Sequence, residues 1–341
     1  MYQRPAQKQG KHRTFEASFH TQLHHEHLCR TYGVLLFREQ AGGTACTCGK
    51  IKPTHALLNK TYPELAYMNY INSSYFAPIF LDYLRNIKEV ENCGYWQLPF
   101  IPYTFSKYQS SPLKVFYIGR DTYYWCEYDA MYDDNEQIVP ELYLHNNADY
   151  VSVGNIEKDW NKSGSFWGMV GKLHLQLLTG VYHQSINELT ENDWNLLEGI
   201  GYGNLFSIEL LDTLKKKKYI SKEDGKKRSE YDDIKDFTGY NSLRAFAEPF
   251  ENLKTIFSAY GEPDIVFILS WAEKDDFFEG LDYEFQKDWY ENNMRSVYTS
   301  NNHKTKVIWS MHPNRFRYKK MNPQKMCQYL CDTAYSLLEN K

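Results

Sequence analysis

An aspartate and a histidine follow two short apolar runs that lie far apart in the chain. Asp121 lies in the stretch that begins at Val115, and His312 lies in the stretch that begins at Val307. In open α/β sheets, ligands bind beyond the carboxyl ends of the strands. At two such ends, a carboxylate that stabilises positive charge and an imidazole that donates a hydrogen bond can face one cleft. Taken alone this pair is a weak signal, because Asp and His also cap loops.

The elements that must position this pair alternate between strand-like runs and helical patterns. Three runs are rich in strand-prone apolar residues: 114–118, 264–270 and 306–310. Gly119 is expected to end the first of them. Helical spacing of apolar residues predicts helices over 166–178 and 323–338. Apolar strands that alternate with helices predict an α/β fold with a largely parallel sheet.

The chain divides into three predicted parts. Residues 1–60 are polar and rich in His and Gly, and we interpret them as an N-terminal extension. Residues 61–112 read as a packed lead-in, with a helix over 82–90 and a break in regular structure over 99–102. Residues 113–341 form the predicted main domain.

The extension holds a cluster of potential zinc ligands, namely His20, His24, His25, His27, Cys29, Cys46, Cys48 and His55. Zinc takes Cys and His ligands, so a metal site is an alternative interpretation. The spacing fits no standard finger, because Cys46 and Cys48 form C-x-C and the histidines lie on one side. We therefore predict no metal.

Charge and hydropathy limit which partners the protein can bind and in which cellular compartment we expect it. The net charge of −4 means that a nucleic-acid site must come from a local basic patch. No apolar stretch reaches 18 residues and no apolar core follows the charged start, so we expect neither a membrane span nor a secretory signal. Seven irregularly spaced cysteines are then expected to be reduced in the cytoplasm.

Five short segments, in chain order, resemble the uracil-DNA glycosylase superfamily. The segment 119–123, GRDTY, resembles the first catalytic motif G-Q-D-P-Y, and 166–174 resembles the Phe-Trp segment of the mismatch-specific branch. The segment 199–205, GIGYGNL, resembles the strand G-x-x-x-x-N-L. The segment 264–271 resembles the next core strand, and His312-Pro313 resembles the start of H-P-S. Their common order makes chance an unlikely source of the matches.

The resemblance implies a three-layer αβα fold around a central, mostly parallel four-stranded sheet. It also implies a monomeric enzyme without a cofactor that removes a flipped-out base from double-stranded DNA. Asp121 would stabilise the cationic sugar and orient water, and His312 would stabilise the departing base. Three residues would border the base: Tyr123, Phe166 and Asn204. No Lys stands beside Asp121, so a Schiff-base lyase mechanism is not expected.

The segment after His312 is interpreted as the part that grips DNA. Four cations in it are expected to contact phosphates: Arg315, Arg317, Lys319 and Lys320. Phe316 is expected to wedge into the space that the base leaves. The alternative is an ordinary charged loop. The lysine-rich stretch 214–236 is interpreted as an exposed loop or hairpin, with phosphate contact as the lesser alternative.

Several residues depart from the family pattern and bear on the substrate. Thr122 stands where the standard uracil enzymes have proline, and Asn314 replaces the serine of H-P-S. These departures favour a modified cytosine, such as glucosylated hydroxymethylcytosine in phage DNA, and hence a role in antiviral defence. The alternatives are uracil or mismatch repair, a catalytically silent DNA-binding module, and a metal-dependent nuclease that uses the acidic run 129–136.

Overall fold

The strands carry the residues of interest, and their bounds come from a computed structural model. It describes residues 71–87, 90, 93, 97–122, 153–270, 272, 274–291 and 294–339. The predictions for residues 1–60, for the acidic run 129–136 and for Tyr123 lie outside these described residues. The strands are β1 (Tyr103–Thr104), β2 (Val115–Asp121), β3 (Ile200–Phe206), β4 (Lys218–Ile220), β5 (Lys227–Ser229), β6 (Ile265–Leu269), β7 (Glu284–Phe285), β8 (Ser296–Thr299) and β9 (Lys306–Ser310).

Helices occupy most of the remaining described chain. They are α1 (Ser73–Ile87), α2 (Val153–Asp159), α3 (Phe166–Thr179), α4 (Glu191–Leu197), α5 (Leu211–Lys216), α6 (Glu230–Asp233), α7 (Phe237–Ala247), α8 (Leu253–Tyr260), α9 (Pro313–Tyr318) and α10 (Pro323–Glu339). Single 3-10 turns cover Tyr108–Ser110, Ile186–Glu188, Glu248–Phe250, Asp275–Phe278 and Lys287–Trp289. Among the described residues, no helix combines the length and the apolar character that crossing a membrane requires.

The central sheet has seven strands in the order β1-β3-β2-β6-β9-β8-β7. Its four middle strands, β3, β2, β6 and β9, run parallel, and β1, β8 and β7 add antiparallel edges. The prediction of a mostly parallel α/β sheet is confirmed, but the count of four strands is wrong. The edge strands escaped notice because they have only two to four residues, too few for a visible apolar pattern.

Helices cover both faces of the sheet. Successive side chains of a strand point to opposite faces. Tyr117 of β2 meets His174 of α3, with 3.3 Å between the hydroxyl and Nδ1. Its neighbour Phe116 packs against Tyr260 at the end of α8, with ring centroids 5.9 Å apart. Each face is therefore buried, which explains why the central strands read as continuous apolar runs.

Gly119 lies inside β2, which continues to Asp121, so the expectation that this glycine ends the strand is wrong. Gly119 pairs with Asn204 of β3. A Cβ at Gly119 would come within 2.5 Å of Asn204 Oδ1, so the bare backbone leaves room for that amide. The glycine marks a close approach between strands rather than a turn.

The helices confirm the sequence patterns to different degrees. The predicted helix over 166–178 is α3, where Ser165 accepts a hydrogen bond from the Gly168 N–H and Gly180 follows in the left-handed conformation. The prediction over 323–338 matches α10. The prediction over 82–90 is wrong in its bounds, because α1 begins at Ser73 and contains Pro78. Proline inside a helix removes one backbone hydrogen bond, so the sequence pattern does not favour a helix there.

Candidate active site at the carboxyl ends of the parallel strands

A cavity of about 820 Å³ opens where the parallel strands end. It is lined by five of the predicted site residues: Asp121, Phe166, Asn204, His312 and Arg315. They come from the ends of β2 and β3, the first turn of α3, and the start of α9. The fold therefore brings together residues that are almost 200 positions apart in the chain.

The Asp121 carboxylate is held on one side and open on the other. Its Oδ2 accepts hydrogen bonds from the Leu210 N–H, at 3.2 Å, and from the Thr213 hydroxyl. Its Oδ1 has no hydrogen-bond partner among the described residues. Burial raises the pKa of Asp121, and the Thr213 hydrogen bond and the charge of Arg120 act against that rise. The residue thus combines the capping role considered from sequence with a free oxygen at the cavity.

The local structure fixes the tautomer of His312. The residue caps α9, and its Nδ1 accepts a hydrogen bond from the Asn314 N–H at 3.1 Å. An accepting Nδ1 carries no proton, so the neutral ring carries it on Nε2. Burial, together with the charge of Arg120, lowers the pKa of His312 to about 4. At neutral pH the imidazole is therefore an uncharged hydrogen-bond donor.

Arg120 is a cavity residue that the sequence did not single out. Its charge opposes the rise that burial causes in the pKa of Asp121, and it adds to the fall that burial causes in the pKa of His312. It favours the carboxylate at one position and the neutral imidazole at the other, which are the two states that acid–base assistance at this cavity needs. The resemblance offered no signal for it, because the family motif has glutamine at this position.

Asn204 is oriented by its neighbour on the same strand. The Tyr202 hydroxyl donates a hydrogen bond of 2.8 Å to Asn204 Oδ1. The amide nitrogen has no partner among the described residues, and Asn204 lines the cavity. A fixed N–H donor of this kind recognises a carbonyl oxygen or a ring nitrogen. Tyr202 is a second cavity residue that sequence reasoning did not assign.

Replacing Gly119 by Ala is expected to displace the Asn204 amide, because the new methyl group would overlap Oδ1. We expect a reaction that uses the Asn204 contact at this cavity to slow about 10- to 100-fold, the range for losing one good substrate contact. The measurement is the single-turnover rate of the reaction at this cavity for Gly119→Ala, Asn204→Ala and the double variant. The two changes should not add, because both remove the same contact. Additive losses would contradict this coupling.

An aromatic wall stands beside the polar groups. Trp167 and Tyr202 have ring centroids 4.5 Å apart, and the Phe166 ring lies 5.5 Å from that of Tyr202. The Phe166 and His312 rings are nearly parallel, with centroids 6.1 Å apart. Rings of this kind provide flat apolar faces against which a planar base can stack. Phe166 lines the cavity, and its stacking on a base stays a prediction.

The burial of Phe316 contradicts its prediction as a wedge. Only 3% of Phe316 is exposed, and its side chain lines a different cavity. Tyr318, two residues further along α9, is 72% exposed and lines the candidate site together with Arg315. Residues two positions apart on a helix point to different sides, which explains why the sequence led to the wrong aromatic residue.

The predicted phosphate contacts also divide between the faces of α9. Arg315 lines the candidate site, whereas Arg317 and Lys320 line the other cavity. Lys319 is exposed and lines neither. The four cations therefore do not line one cavity, and their contact with phosphates stays a prediction.

The lysine-rich stretch 214–236 contains the β4–β5 hairpin, so the prediction of an exposed hairpin is confirmed. Two of its lysines behave differently from that prediction. Lys216 lines the candidate site. Lys217 is buried, with its Nζ 2.8 Å from Glu209 and 2.6 Å from Glu230. A run of charged residues in a sequence does not show which of its lysines is buried in an ion pair and which is exposed to solvent.

A buried ion network supports the end of β3 beside the site. The fully buried carboxylate of Glu251 accepts hydrogen bonds from the Ser207 backbone and hydroxyl, at 2.6 and 2.9 Å. Arg244 and Lys274 also contact this carboxylate, at 2.8 and 2.9 Å. Both cations lie over the ring of Phe206. The network fixes the chain just after Asn204, and the charge of Arg244 is a further influence that opposes the burial-driven rise in the pKa of Asp121.

Comparisons with known proteins identify no relative. No protein-family model matches the chain, and no curated protein or solved structure matches it significantly.

Proposed function

We propose that this protein is a monofunctional DNA glycosylase that hydrolyses the N-glycosidic bond of a pyrimidine flipped out of double-stranded DNA. One observation carries the proposal: a single cavity combines a carboxylate that keeps one oxygen open with a neutral imidazole that is protonated on Nε2. The ordered motifs that resemble the uracil-DNA glycosylase superfamily support the same reaction. So does the position of their residues at the carboxyl ends of four parallel strands.

The proposed reaction breaks the bond between the sugar C1′ and the base nitrogen. The bonding electron pair leaves with the base, and positive charge develops on the sugar in an oxocarbenium-like state. The open Oδ1 of Asp121 stabilises that charge and orients a water, which adds to C1′ and passes a proton to this carboxylate; solvent then transfers a proton to the departed base anion. The His312 Nε2–H donates a hydrogen bond to the base carbonyl, where negative charge accumulates. The products are the free base and an abasic sugar.

We propose a modified cytosine as the base. The cavity of about 820 Å³ lies near the upper end of the usual range for ligand sites, so it can accept a bulky substituent. Thr122, which replaces the family proline, is buried, and its hydroxyl accepts a hydrogen bond of 3.2 Å from Gln97. The second candidate is uracil or thymine. The free N–H of Asn204 supports it, because this donor suits the O4 carbonyl of those bases as well as N3 of cytosine.

A panel of duplexes tests the proposed function. Purified protein is incubated with DNA that carries uracil, a thymine mismatch, or glucosylated hydroxymethylcytosine, and alkali-sensitive abasic sites are counted. Release of one of these bases supports the proposal, and release of uracil with modified DNA left intact assigns the alternative repair function. DNA binding without any base release indicates a silent module. Strand cleavage that EDTA stops indicates a nuclease, as the acidic run 129–136 would require.

Replacing Tyr318 by Ala is expected to slow base release from duplex DNA about 10- to 100-fold, because an exposed ring at the cavity can fill the gap that the base leaves. Unstacking costs a few kcal/mol, and inserted side chains offset part of that cost. Single-stranded DNA should show less than a threefold change. Tyr318→Phe keeps the ring and should retain activity on the duplex. Tyr290→Ala controls for the loss of an aromatic side chain that is 51% exposed elsewhere. Equal losses on both kinds of DNA would contradict this role for Tyr318.

A further inference from the structure

A second cavity, of about 710 Å³, lies on the other side of α9 from the candidate site. Pro313, Phe316, Arg317 and Lys320 contribute to its wall, and their spacing of three and four residues is that of one helical face. Four cations line this second cavity: Lys162, Lys172, Arg317 and Lys320. None of its lining residues is acidic, and the carboxylates nearest these cations, Asp159 beside Lys162 and Glu188 near Lys172, are not part of its wall.

Three of these cations have no carboxylate partner within the described part of the chain. Lys162 is paired with Asp159 at 2.6 Å, whereas Lys172, Arg317 and Lys320 form no such pair there. The Lys172 ammonium lies 5.6 Å from the centroid of the Trp160 ring and 6.0 Å from that of Tyr182. It is half-buried, and burial lowers its pKa. An anion that enters the cavity would offset this cost of burying the charge.

The backbone at Lys320 is strained in a way that glycine would avoid. Its φ of 53° is the only positive φ of a non-glycine residue in the described ranges. The turn ends α9 through hydrogen bonds from the Lys320 N–H to the Arg317 carbonyl and from the Met321 N–H to the Phe316 carbonyl. Glycine is the usual residue at this position because it has no Cβ. A lysine here places a charge at the cavity and keeps the strain, which suggests a function for its side chain.

The loop before α3 is pressed against α9 and completes the wall. Gly164 has a φ of 77°, and a Cβ there would lie 3.0 Å from Asn314 Oδ1 and 3.1 Å from the Asn314 Cα. Only glycine satisfies both the conformation and the close approach. Asn314 itself lines the candidate site, whereas Gly164 lines the second cavity. The two cavities are therefore separated by one packed layer of backbone.

We infer that the second cavity binds a backbone phosphate of the DNA strand whose base enters the first cavity. This inference rests on the proposed function. An unpaired set of lysine and arginine side chains matches a phosphodiester in charge and hydrogen-bonding capacity. A helix with its side chains is about 10–12 Å across. That distance spans about three nucleotide steps of 3.4 Å. Phosphates about three steps apart on the strand that carries the flipped nucleotide can then contact opposite faces of α9.

The test compares Lys320→Gly and Lys172→Met with the control Lys325→Gln. Lys325 is an exposed lysine in the first turn of α10 that lines neither cavity. The probe is a fluorescent duplex with one abasic site, which holds no base to release, titrated with the full chain at several salt concentrations. Inorganic phosphate and a deoxynucleoside 5′-monophosphate serve as competitors, so that binding of a free phosphate is distinguished from binding of the strand.

Lys320→Gly is expected to lower affinity about five- to tenfold and to reduce the salt slope by about one, as the loss of one phosphate contact does. Its thermal midpoint should be unchanged or higher, because the substitution relieves strain. Lys172→Met should weaken binding similarly, and Lys325→Gln by less than twofold. Wild-type affinity for Lys320→Gly, or an equal loss for Lys325→Gln, would overturn the inference.

The failure of this inference can be told apart from failure of the proposed function. If the wild-type protein binds the abasic duplex in a Lys320-dependent way but releases no base, the phosphate site stands and the glycosylase proposal falls. If the protein releases bases but Lys320→Gly binds normally, the reverse holds. Competition by millimolar phosphate alone, with no Lys320 dependence of duplex binding, overturns the strand as the ligand.

Discussion

Asp121→Asn should reduce base release at least about a thousandfold and should leave the fold as stable as, or more stable than, the wild type at pH 7. The amide removes the negative charge that stabilises the sugar cation in the proposed reaction, a contribution of the size found for electrostatic groups in active sites. Its oxygen can still accept the hydrogen bonds from the Leu210 N–H and the Thr213 hydroxyl. The substitution therefore separates the capping role of the residue from its catalytic role.

The gain in stability follows from the pKa of Asp121. Burial raises this pKa above its value in the unfolded chain, so the folded state binds the proton more tightly than the unfolded state does. Stability then falls as pH rises through the interval between the two pKa values, and above it the ionised carboxylate is a fixed cost. Asn has no such cost. Thermal unfolding at pH 7 and at pH 4 measures the effect, which should shrink at the lower pH.

Asp212→Asn is the matched control for this experiment. Asp212 lies exposed in the first turn of α5, the same turn whose backbone and Thr213 hydroxyl Asp121 contacts, and it does not line the cavity. Asp212→Asn removes the same charge a short distance from the cavity. Its rate of base release should stay within about threefold of the wild-type rate, because exposed charges are screened. If Asp121→Asn kept more than a tenth of wild-type activity, Asp121 would be a structural cap only. A drop in its stability would show that the carboxylate is needed for folding.

The central strands were predictable because they are buried on both faces. The apolar runs at 114–118, 264–270 and 306–310 mark β2, β6 and β9, and the GIGYGNL motif marks β3. Burial on two faces requires an unbroken apolar run, which a sequence displays directly. The edge strands depend on tertiary pairing instead, so β1, β7 and β8 leave no local pattern.

The site residues at the ends of strands could be predicted from the sequence. Those on α9 could not, because the rotation of this helix about its axis decides which cavity each side chain reaches. Asp121 ends β2, Asn204 lies two residues before the end of β3, and His312 follows β9, so their convergence follows from topology. Tyr318 replaces Phe316 at the candidate site because the position of a residue around α9 decides which cavity it reaches. That rotation is set by packing of α9 on its neighbours, which a six-residue helix does not encode in its own spacing.

Removing the imidazole of His312 should slow base release about 10²–10³-fold, the usual effect of losing one donor to a developing anion. Two variants separate this role from the helix cap. His312→Ala removes both the Nε2 donor and the Nδ1 acceptor that caps α9. His312→Ser keeps a capping oxygen but has no group that reaches as far. Both should be equally slow, and the serine variant should be more stable than the alanine variant by about 1 kcal/mol.

The pH dependence gives an independent test of His312. Because burial and Arg120 lower its pKa to about 4, activity of the wild type should show no loss between pH 8 and pH 6 from protonation of this residue.

The stability of the folded state also depends on this pKa, because the unfolded chain takes up the proton near pH 6.5. Between those values the unfolded state binds more protons, so stability falls as pH falls. His312→Ser lacks this term and should lose about 1–2 kcal/mol less between pH 7 and pH 5 than the wild type. His174, whose pKa is also lowered to about 4, is common to both proteins and cancels. Equal losses in the two proteins, or a decline in activity centred near pH 6.5, would mean that His312 titrates normally and acts as a charged group.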